Sequence, residues 1–383
     1  MQQTATPAFS LKTSGARLRA YAMVGALALI WGVFFLTTDG AFVSPRNMSN
    51  LARQSCITGL LAIGMVLVIV SANIDLSVGS LVGLTGGMAA IMSVWGGWPL
   101  WLVILATLAL GLLMGFCQGA LVAYARVPSF IVTLAGLLIF RGIIKGATGG
   151  ATVGPLPDAF KMIGQDYLPP GWTWGLAAAV VVVVAVALWR RSSKRRAYGF
   201  DAPPTRRLIG LAALYAALIV AFAGLMNSYA GLPVPVLILL ALALAFHFLA
   251  TQTTFGRRVY AIGGNAEAAH LSGINLRRNV TAVFMLMGLL SAVAGMIYTA
   301  RVGSATADAG KILELDAIAA CVIGGTSLMG GRGTIAGALL GALIMASLDN
   351  GMSLMNVEDF YQDIIKGLIL VIAVGIDVAG KRK

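Results

Sequence analysis

Long apolar runs return along the chain at short intervals, and this pattern constrains the fold more than any motif. A helix that crosses a bilayer needs about 20 consecutive, mostly apolar residues. Runs of that kind occupy 20–37, 51–71, 77–95, 100–124, 129–147, 172–190, 207–224, 232–250, 279–300, 312–328, 333–350 and 361–378. Their even number puts both termini on one side of a membrane. Lipid offers a bare backbone no hydrogen-bond partners, so spans of this length are expected to be helical. The expected fold class is an all-α polytopic membrane protein with about 10–12 transmembrane helices.

Composition agrees. Hydrophobic residues make up 59% and charged residues 11% of 383 residues, where a soluble domain carries about 25% charge. A water-soluble enzyme and a disordered chain are both excluded. The three cysteines, Cys56, Cys117 and Cys321, are odd in number and each sits in an apolar run, which excludes a disulfide scaffold. Glycine is abundant, at 47 residues, which suits close helix packing in lipid.

The formal net charge is +13, and the cations are unevenly placed. They gather at Lys12, Arg17 and Arg19, at Arg126, between Arg190 and Arg207, at Arg257, Arg258, Arg277 and Arg278, at Arg332, and in the tail Lys381–Lys383. All these clusters fall on one side if the spans alternate. The positive-inside rule makes that side the cytoplasm. The expected organisation is then a cytoplasmic arm (1–19), a transmembrane region (20–378) with basic cytoplasmic loops at 190–207 and 251–278, and a cytoplasmic tail (379–383). The first run is too long for a signal peptide and further spans follow, so it reads as a retained anchor. No aromatic platforms interleave the basic residues, so nucleic acid is not an expected partner.

Two spans are interrupted. Segments 77–95 and 312–328 contain glycine, serine or acidic residues, and either could be broken or re-entrant. Such backbone is tolerated only where protein or a water-filled cavity covers it. Glycines repeat every four residues at Gly79, Gly83 and Gly87, at Gly111, Gly115 and Gly119, and at Gly333, Gly337 and Gly341. That spacing lines one helix face and admits a second backbone. Plain helix packing accounts for any one ladder. The first and third each follow a polar break, and a sharper reading makes them related halves flanking a substrate path.

Polar groups at membrane depth need a reason. Asp75 could cap the next helix; alternatively Asn73, Asp75 and Ser77 line the path of a hydroxylated solute. Arg141 needs a carboxylate or an aqueous cavity, and Asp75 is a candidate partner. Glu314 and Asp316 open an apolar run and are expected to cap it from the outer face. Asp349, Asp363 and Lys366 lie near span ends and are expected at the interface. His247 and His270 have no metal-binding companions, so no metal site is expected. Phosphate-cradling, nucleophile-elbow and paired-cysteine motifs are all missing. No catalytic residues and no cofactor are therefore expected, and the chain reads as a conduit driven by another subunit or by an ion gradient. An ion-coupled carrier often holds several carboxylates deep in its spans; here they are few.

The loop 251–278 reads TQTTFGRRVYAIGGNAEAAHLSGINLRR. Asn265 is placed to cap a short helix with Glu267 in its first turn, and Gly273 to end it. Its stretch FGRRVYAIGGNAEAAHLSGI resembles the EAA-type coupling loop of ABC importer permeases in the ribose, xylose and branched-chain amino acid group. NIDLSVGSLVGLTGG, PSFIVTLAGLLIFRG and ELDAIAACVIGGTSLMGGRGTIAGALLGAL resemble the same family, and together these stretches cover most of 45–378. An added helix pair at about 172–224, around RRSSKRRAYGFDAPP, is similar to the xylose-type members and favours D-xylose over ribose.

The resemblance implies a multi-pass bacterial inner-membrane permease. Two copies would form the pore, cytoplasmic ABC ATPase subunits would drive it, and a periplasmic sugar-binding protein would deliver a monosaccharide. It assigns ATPase coupling to Glu267, Ala268, Ala269 and Gly273, with Asn265 opening the helix. Rivals are a permease for ribose or another monosaccharide and an ion-coupled secondary transporter.

Overall fold

The computed structural model describes residues 11–201 and 203–379. The first ten residues of the expected arm, and the tail from 380, lie outside the described residues. Helix α1 (Leu11–Thr37) leads through a 3-10 turn (Ala41–Val43) to α2 (Pro45–Val70). Helix α3 (Val78–Ala90) continues through a π turn (Ile91–Trp95). Helices α4 (Leu100–Ala123), α5 (Ser129–Thr148) and α6 (Asp158–Gln165) precede strand β1 (Tyr167–Leu168). A hairpin of α7 (Pro170–Ala197) and α8 (Thr205–Asn227) returns to β2 (Leu232–Pro233), which pairs antiparallel with β1. Then follow α9 (Val234–Gln252), α10 (Thr254–Gly264), α11 (Ala266–Leu271), α12 (Leu276–Val302), α13 (Leu313–Ile323), α14 (Ile335–Leu354) and α15 (Asp359–Ala379).

Prolines mark most helix starts. Pro45 and Pro170 occupy the first turn of α2 and α7, and Pro99, Pro128, Pro157, Pro204 and Pro233 stand at the N-caps of α4, α5, α6, α8 and α9. A proline there forfeits no helical hydrogen bond and its fixed φ suits the first turn.

Among the described residues, nine helices are long and apolar enough to cross a membrane. Burial sorts them. Of the most apolar stretch of α2, 83% is buried, against 6% for α8. Helix α2 is buried without a break from Cys56 to Val70. It packs with α12, α13 and α14. Helices α7 and α8 pack mainly on each other and expose Val182, Ile209 and Leu218, as lipid-facing helices do.

Among the described side chains α1 is apolar from Tyr21 to Thr37, within the expected run 20–37. The two interrupted segments differ from each other. Segment 77–95 is a full-length helix after an unwound stretch, 71–77. Segment 312–328 holds only the 11-residue α13, about 16 Å at 1.5 Å per residue, which is half a bilayer core. Acidic and glycine residues at both its ends deny it further length. The expected loop 190–207 is mostly helix: α7 carries its basic residues to Ala197, and α8 begins at Thr205.

The glycine ladders are contact surfaces. A Cβ on Gly111, Gly115 or Gly119 would strike α12 at Gly288, Phe284 or Thr281. Gly337 and Gly341 face the carbonyls of Gly324 and Ala320 at the end of α13, while Gly333 meets Thr326 and Val70. Gly79 and Gly83 face the carbonyls of Gly310 and Ala309, and Gly87 meets Ile144. The first and third ladders thus press on one segment, 309–324, from two sides.

Candidate translocation path and coupling surface

Beyond Val70 the chain unwinds. Ala72 takes a left-handed φ of 60°, and the Asn73 side chain donates to the Ser71 carbonyl at 3.0 Å. Asp75 is fully buried. Its Oδ1 accepts from the Ser77 backbone N–H at 2.8 Å and from Ser77 Oγ at 2.6 Å. Ser77 Oγ in turn accepts from Gln118 Nε2 at 2.8 Å. Asp75 therefore binds the N-cap residue of α3 rather than the free N–H groups of its first turn. Gln118, from α4, closes this chain of polar groups. Its neighbour Gly136 on α5 leaves no space for a Cβ beside the amide. Gln118 is a polar group at membrane depth that the sequence reading passed over, and its place in an apolar run was the available signal.

Glu314 lies opposite. Its Oε2 is buried with no hydrogen-bond partner and lies against Gly79 at the start of α3. The expected pair between Asp75 and Arg141 does not form: among the described residues no ion pair includes Arg141. Its charge acts on Glu314 instead, as does that of Asp75. The broken start of α3 and the start of α13 thus meet at a cluster with more carboxylate than cation.

Glu314 and Asp316 both stand in the first turn of α13, as expected, but Asp316 turns away from the free N–H groups there. Ile312 holds the N-cap of α13 with a φ of 70° and no side-chain cap. Asp316 pairs with Lys366 at 3.3 Å, and Lys366 with Asp349 at 2.9 Å. Asp349 and Lys366 are not interfacial. They lie inside, tying α13, α14 and α15 together, because each turns its charge toward the others instead of lipid.

The coupling loop is two helices. Thr253 Oγ accepts from the Gly256 N–H at 3.2 Å to open α10, and Asn265 Oδ1 accepts from the Ala268 N–H at 2.9 Å to open α11. The Ile274 N–H returns to the Ala269 carbonyl at 3.1 Å across Gly273, whose φ is 80°. Glycine takes that left-handed cap without strain. The expected helix over 265–274 is thus Ala266–Leu271, with Asn265 as its cap and Gly273 beyond its end. Ala269 is buried, whereas Glu267 and Ala268 are exposed and Leu271 is 81% exposed.

Helix α10 sits on the end of α2. Gly263 abuts the Val70 carbonyl, which accepts the Gly331 N–H at 2.9 Å. Tyr260 Oη donates to the Gly333 carbonyl at 2.7 Å, and burial pushes the Tyr260 phenol up. Beside α11 lies a cleft of about 660 Å³ lined by Asn73, Arg126, His270, Gly273 and Arg277, among others. The coupling loop and the unwound stretch 71–77 thus share one cavity.

A family model described as "Branched-chain amino acid transport system / permease component" matches residues 47–374. The xylose transport system permease protein XylH of Escherichia coli K12 is 54% identical over 366 residues, covering 96% of this chain and 93% of the relative. Its counterpart in Haemophilus influenzae is 50% identical, covering 97% and 99%. The ribose import permease protein RbsC of Bacillus subtilis is 34% identical, covering 96% and 97%. No solved structure matches this chain.

Proposed function

We propose, since this chain belongs to the branched-chain amino acid transport system / permease component family, that it is the membrane-spanning subunit of an ATP-driven importer for D-xylose or a similar pentose. It is a multi-pass membrane protein with nine helices, among the described residues, able to cross. The xylose assignment rests on the identity gap: 54% and 50% to relatives named for xylose, 34% to one named for ribose. The basic end of the bundle is cytoplasmic by the positive-inside rule, and both termini lie there. Two copies form the pore, and a periplasmic sugar-binding protein delivers the solute to the opposite face.

One observation carries the mechanism: Asn73, His270 of the coupling helix and Gly273 just beyond it line the same cleft. A separate ATPase grips α11, with Leu271 as its apolar anchor. Closure of that ATPase on nucleotide displaces α11 and α10 together. Displacement reaches the end of α2 through Gly263 and Val70, and the 326–333 loop through Tyr260 and Gly333. Both adjoin the unwound stretch that holds Asp75 and Ser77. Opening there parts Ser77 from Gln118, and sugar hydroxyls take over their hydrogen bonds. A neutral, many-hydroxyl solute suits such donors and acceptors, because each bond lost on opening is remade.

Uptake of labelled xylose into vesicles tests this. Import is expected only with the partner ATPase, the binding protein and internal ATP. Import driven by a proton gradient with this chain alone overturns the class. ATP-dependent import of ribose but not xylose overturns the substrate.

A further inference from the structure

The face opposite the coupling loop holds a pocket that sugar transport leaves unexplained. Its volume is about 460 Å³, and Arg46, Asn50, Arg53 and Tyr229 line it. Asn50 Oδ1 accepts from Arg301 Nη2 at 3.3 Å, and the charges of Arg53 and Arg301 act on each other. Arg53 Nε is buried with no hydrogen-bond partner. The Arg53 guanidinium also lies over the Tyr167 ring, 5.2 Å from its centroid. The ion pairs among the described residues involve Lys145, Lys161 and Lys366, and none of these arginines. Two guanidinium groups, those of Arg46 and Arg53, therefore line the pocket without a carboxylate, and a third, Arg301, stands behind its wall, hydrogen-bonded to Asn50.

Packing arginines together costs Coulomb energy that an anion would offset. A pentose carries no charge and would not. The guanidinium fork matches a phosphate, which it can grip with two parallel bonds. The surroundings name its source. The pocket lies where the α1–α2 connection, the first turns of α2 and the α8–β2 connection meet. Helices α1 and α8 expose Leu36, Leu218 and other apolar groups there and along their length. Tyr229 and Tyr167 stand edge to face, 5.9 Å apart, beside the arginines. Tyrosines next to lipid-facing helix ends sit at headgroup depth.

We propose that this pocket seats the phosphate of a phospholipid from the leaflet on the side opposite the coupling loop. The lipid is held by Arg46 and Arg53 at the start of α2, and Asn50 links that grip to Arg301 at the end of α12. The pocket depends on the sugar-import reading only for the name of that leaflet.

The test uses the full-length chain, purified in detergent, stripped of lipid and retitrated with phosphatidylglycerol under native mass spectrometry. One lipid is expected to rebind. Arg46→Gln and Arg53→Gln are each expected to weaken rebinding about tenfold or more, from loss of charge-assisted hydrogen bonds. Lys161→Gln, outside the pocket, serves as the control and should leave it unchanged. Inorganic phosphate is expected not to compete. Undiminished rebinding in both arginine variants overturns the proposal, and so does inorganic phosphate that displaces the lipid. Should the glutamine variants fail to insert, Arg53→Lys is read instead: it keeps the charge, loses the fork and should weaken binding to a lesser degree, and unchanged binding counts against the proposal. Failure of xylose uptake with lipid binding intact would refute the transport reading and leave this one standing.

Discussion

Gly263 and Val70 meet backbone to backbone, with no space for a Cβ between them. The Val70 carbonyl also accepts the Gly331 N–H, so three segments converge on one peptide group: the end of α2, the end of α10 and the loop before α14. Close-packed backbone has little compressibility and passes displacement on. The contact joins the coupling loop to the place where α2 stops being a helix.

Gly263→Ala forces that contact apart. Overpacking of this kind typically costs about 1–3 kcal/mol. Xylose uptake is expected to fall at least about tenfold while the chain still inserts and still binds its ATPase, because α11 lies beyond the change. Gly264→Ala is the matched control, since nothing lies within 4 Å of its Cβ position. Equal uptake by the two variants, measured in the same vesicles, would remove the contact from the coupling route.

Leu271 separates partner binding from the chain's own stability. It is 81% exposed, so Leu271→Ser should move the thermal stability of the isolated permease by no more than about 0.5 kcal/mol. An apolar anchor filling a partner's groove typically contributes about 2 kcal/mol. Co-purification of the ATPase should then drop more than about tenfold. Retention of the ATPase at wild-type stoichiometry would place the docking surface elsewhere.

These tests separate what the sequence carried from what it did not. The caps at Asn265 and Gly273 were legible because capping is local: a side chain and a φ value, both within a few residues. Helix α2 was legible as a span from its length and apolarity, but its central place was not, since the more apolar α8 faces lipid. The shortness of α13 was half legible: glycines and acidic residues marked a break in 312–328, but not where the helix would start and stop. The partners of Arg141 and Lys366 were not legible. Asp316 and Lys366 stand 50 residues apart, and only the packing of α13 against α15 brings them together. Gln118 stood out as an amide in an apolar run, but its partner did not, because Ser77 lies on another segment.

Tyr260 gives a pH-dependent test. Burial holds its phenol above the ordinary value, which is about 10. The folded chain therefore favours the protonated ring. That contribution is complete below the ordinary value and is lost as pH rises from there through the raised one, because the unfolded chain ionises first. Tyr260→Phe removes the hydrogen bond to Gly333 and should lower stability by about 1 kcal/mol at neutral pH. Its melting temperature should also decline less steeply in alkaline buffer than that of the unaltered chain. Parallel alkaline declines would show that Tyr260 does not hold α10 in place.

Ser77 is the joint between Asp75 and Gln118. Ser77→Ala deletes both side-chain bonds at once and leaves Asp75 Oδ1 with the backbone N–H alone. A buried group stripped of a partner costs about 1–3 kcal/mol. If the closed path depends on that joint, the variant should leak, taking up xylose slowly even without ATP. Gln118→Leu should leak too, because it severs the α3–α4 half of the same chain. Tight vesicles with normal ATP-driven uptake in both variants would exclude the cluster from the path.

Lys366 is the single cation between Asp316 and Asp349, and it holds α15 against the short α13. Lys366→Met preserves most of the side chain's volume and leaves two carboxylates buried without compensation. Removing one partner of a buried ion pair costs about 3–5 kcal/mol. The variant should therefore melt far below the unaltered chain or fail to accumulate in the membrane. The cost comes from the stranded charges, so neutralising them should undo it: Lys366→Met with Asp316→Asn and Asp349→Asn should recover most of the stability. A single variant as stable as the unaltered chain would mean that the three groups do not share one interior. A triple variant no better than the single would assign the loss to the lysine's packing rather than to charge.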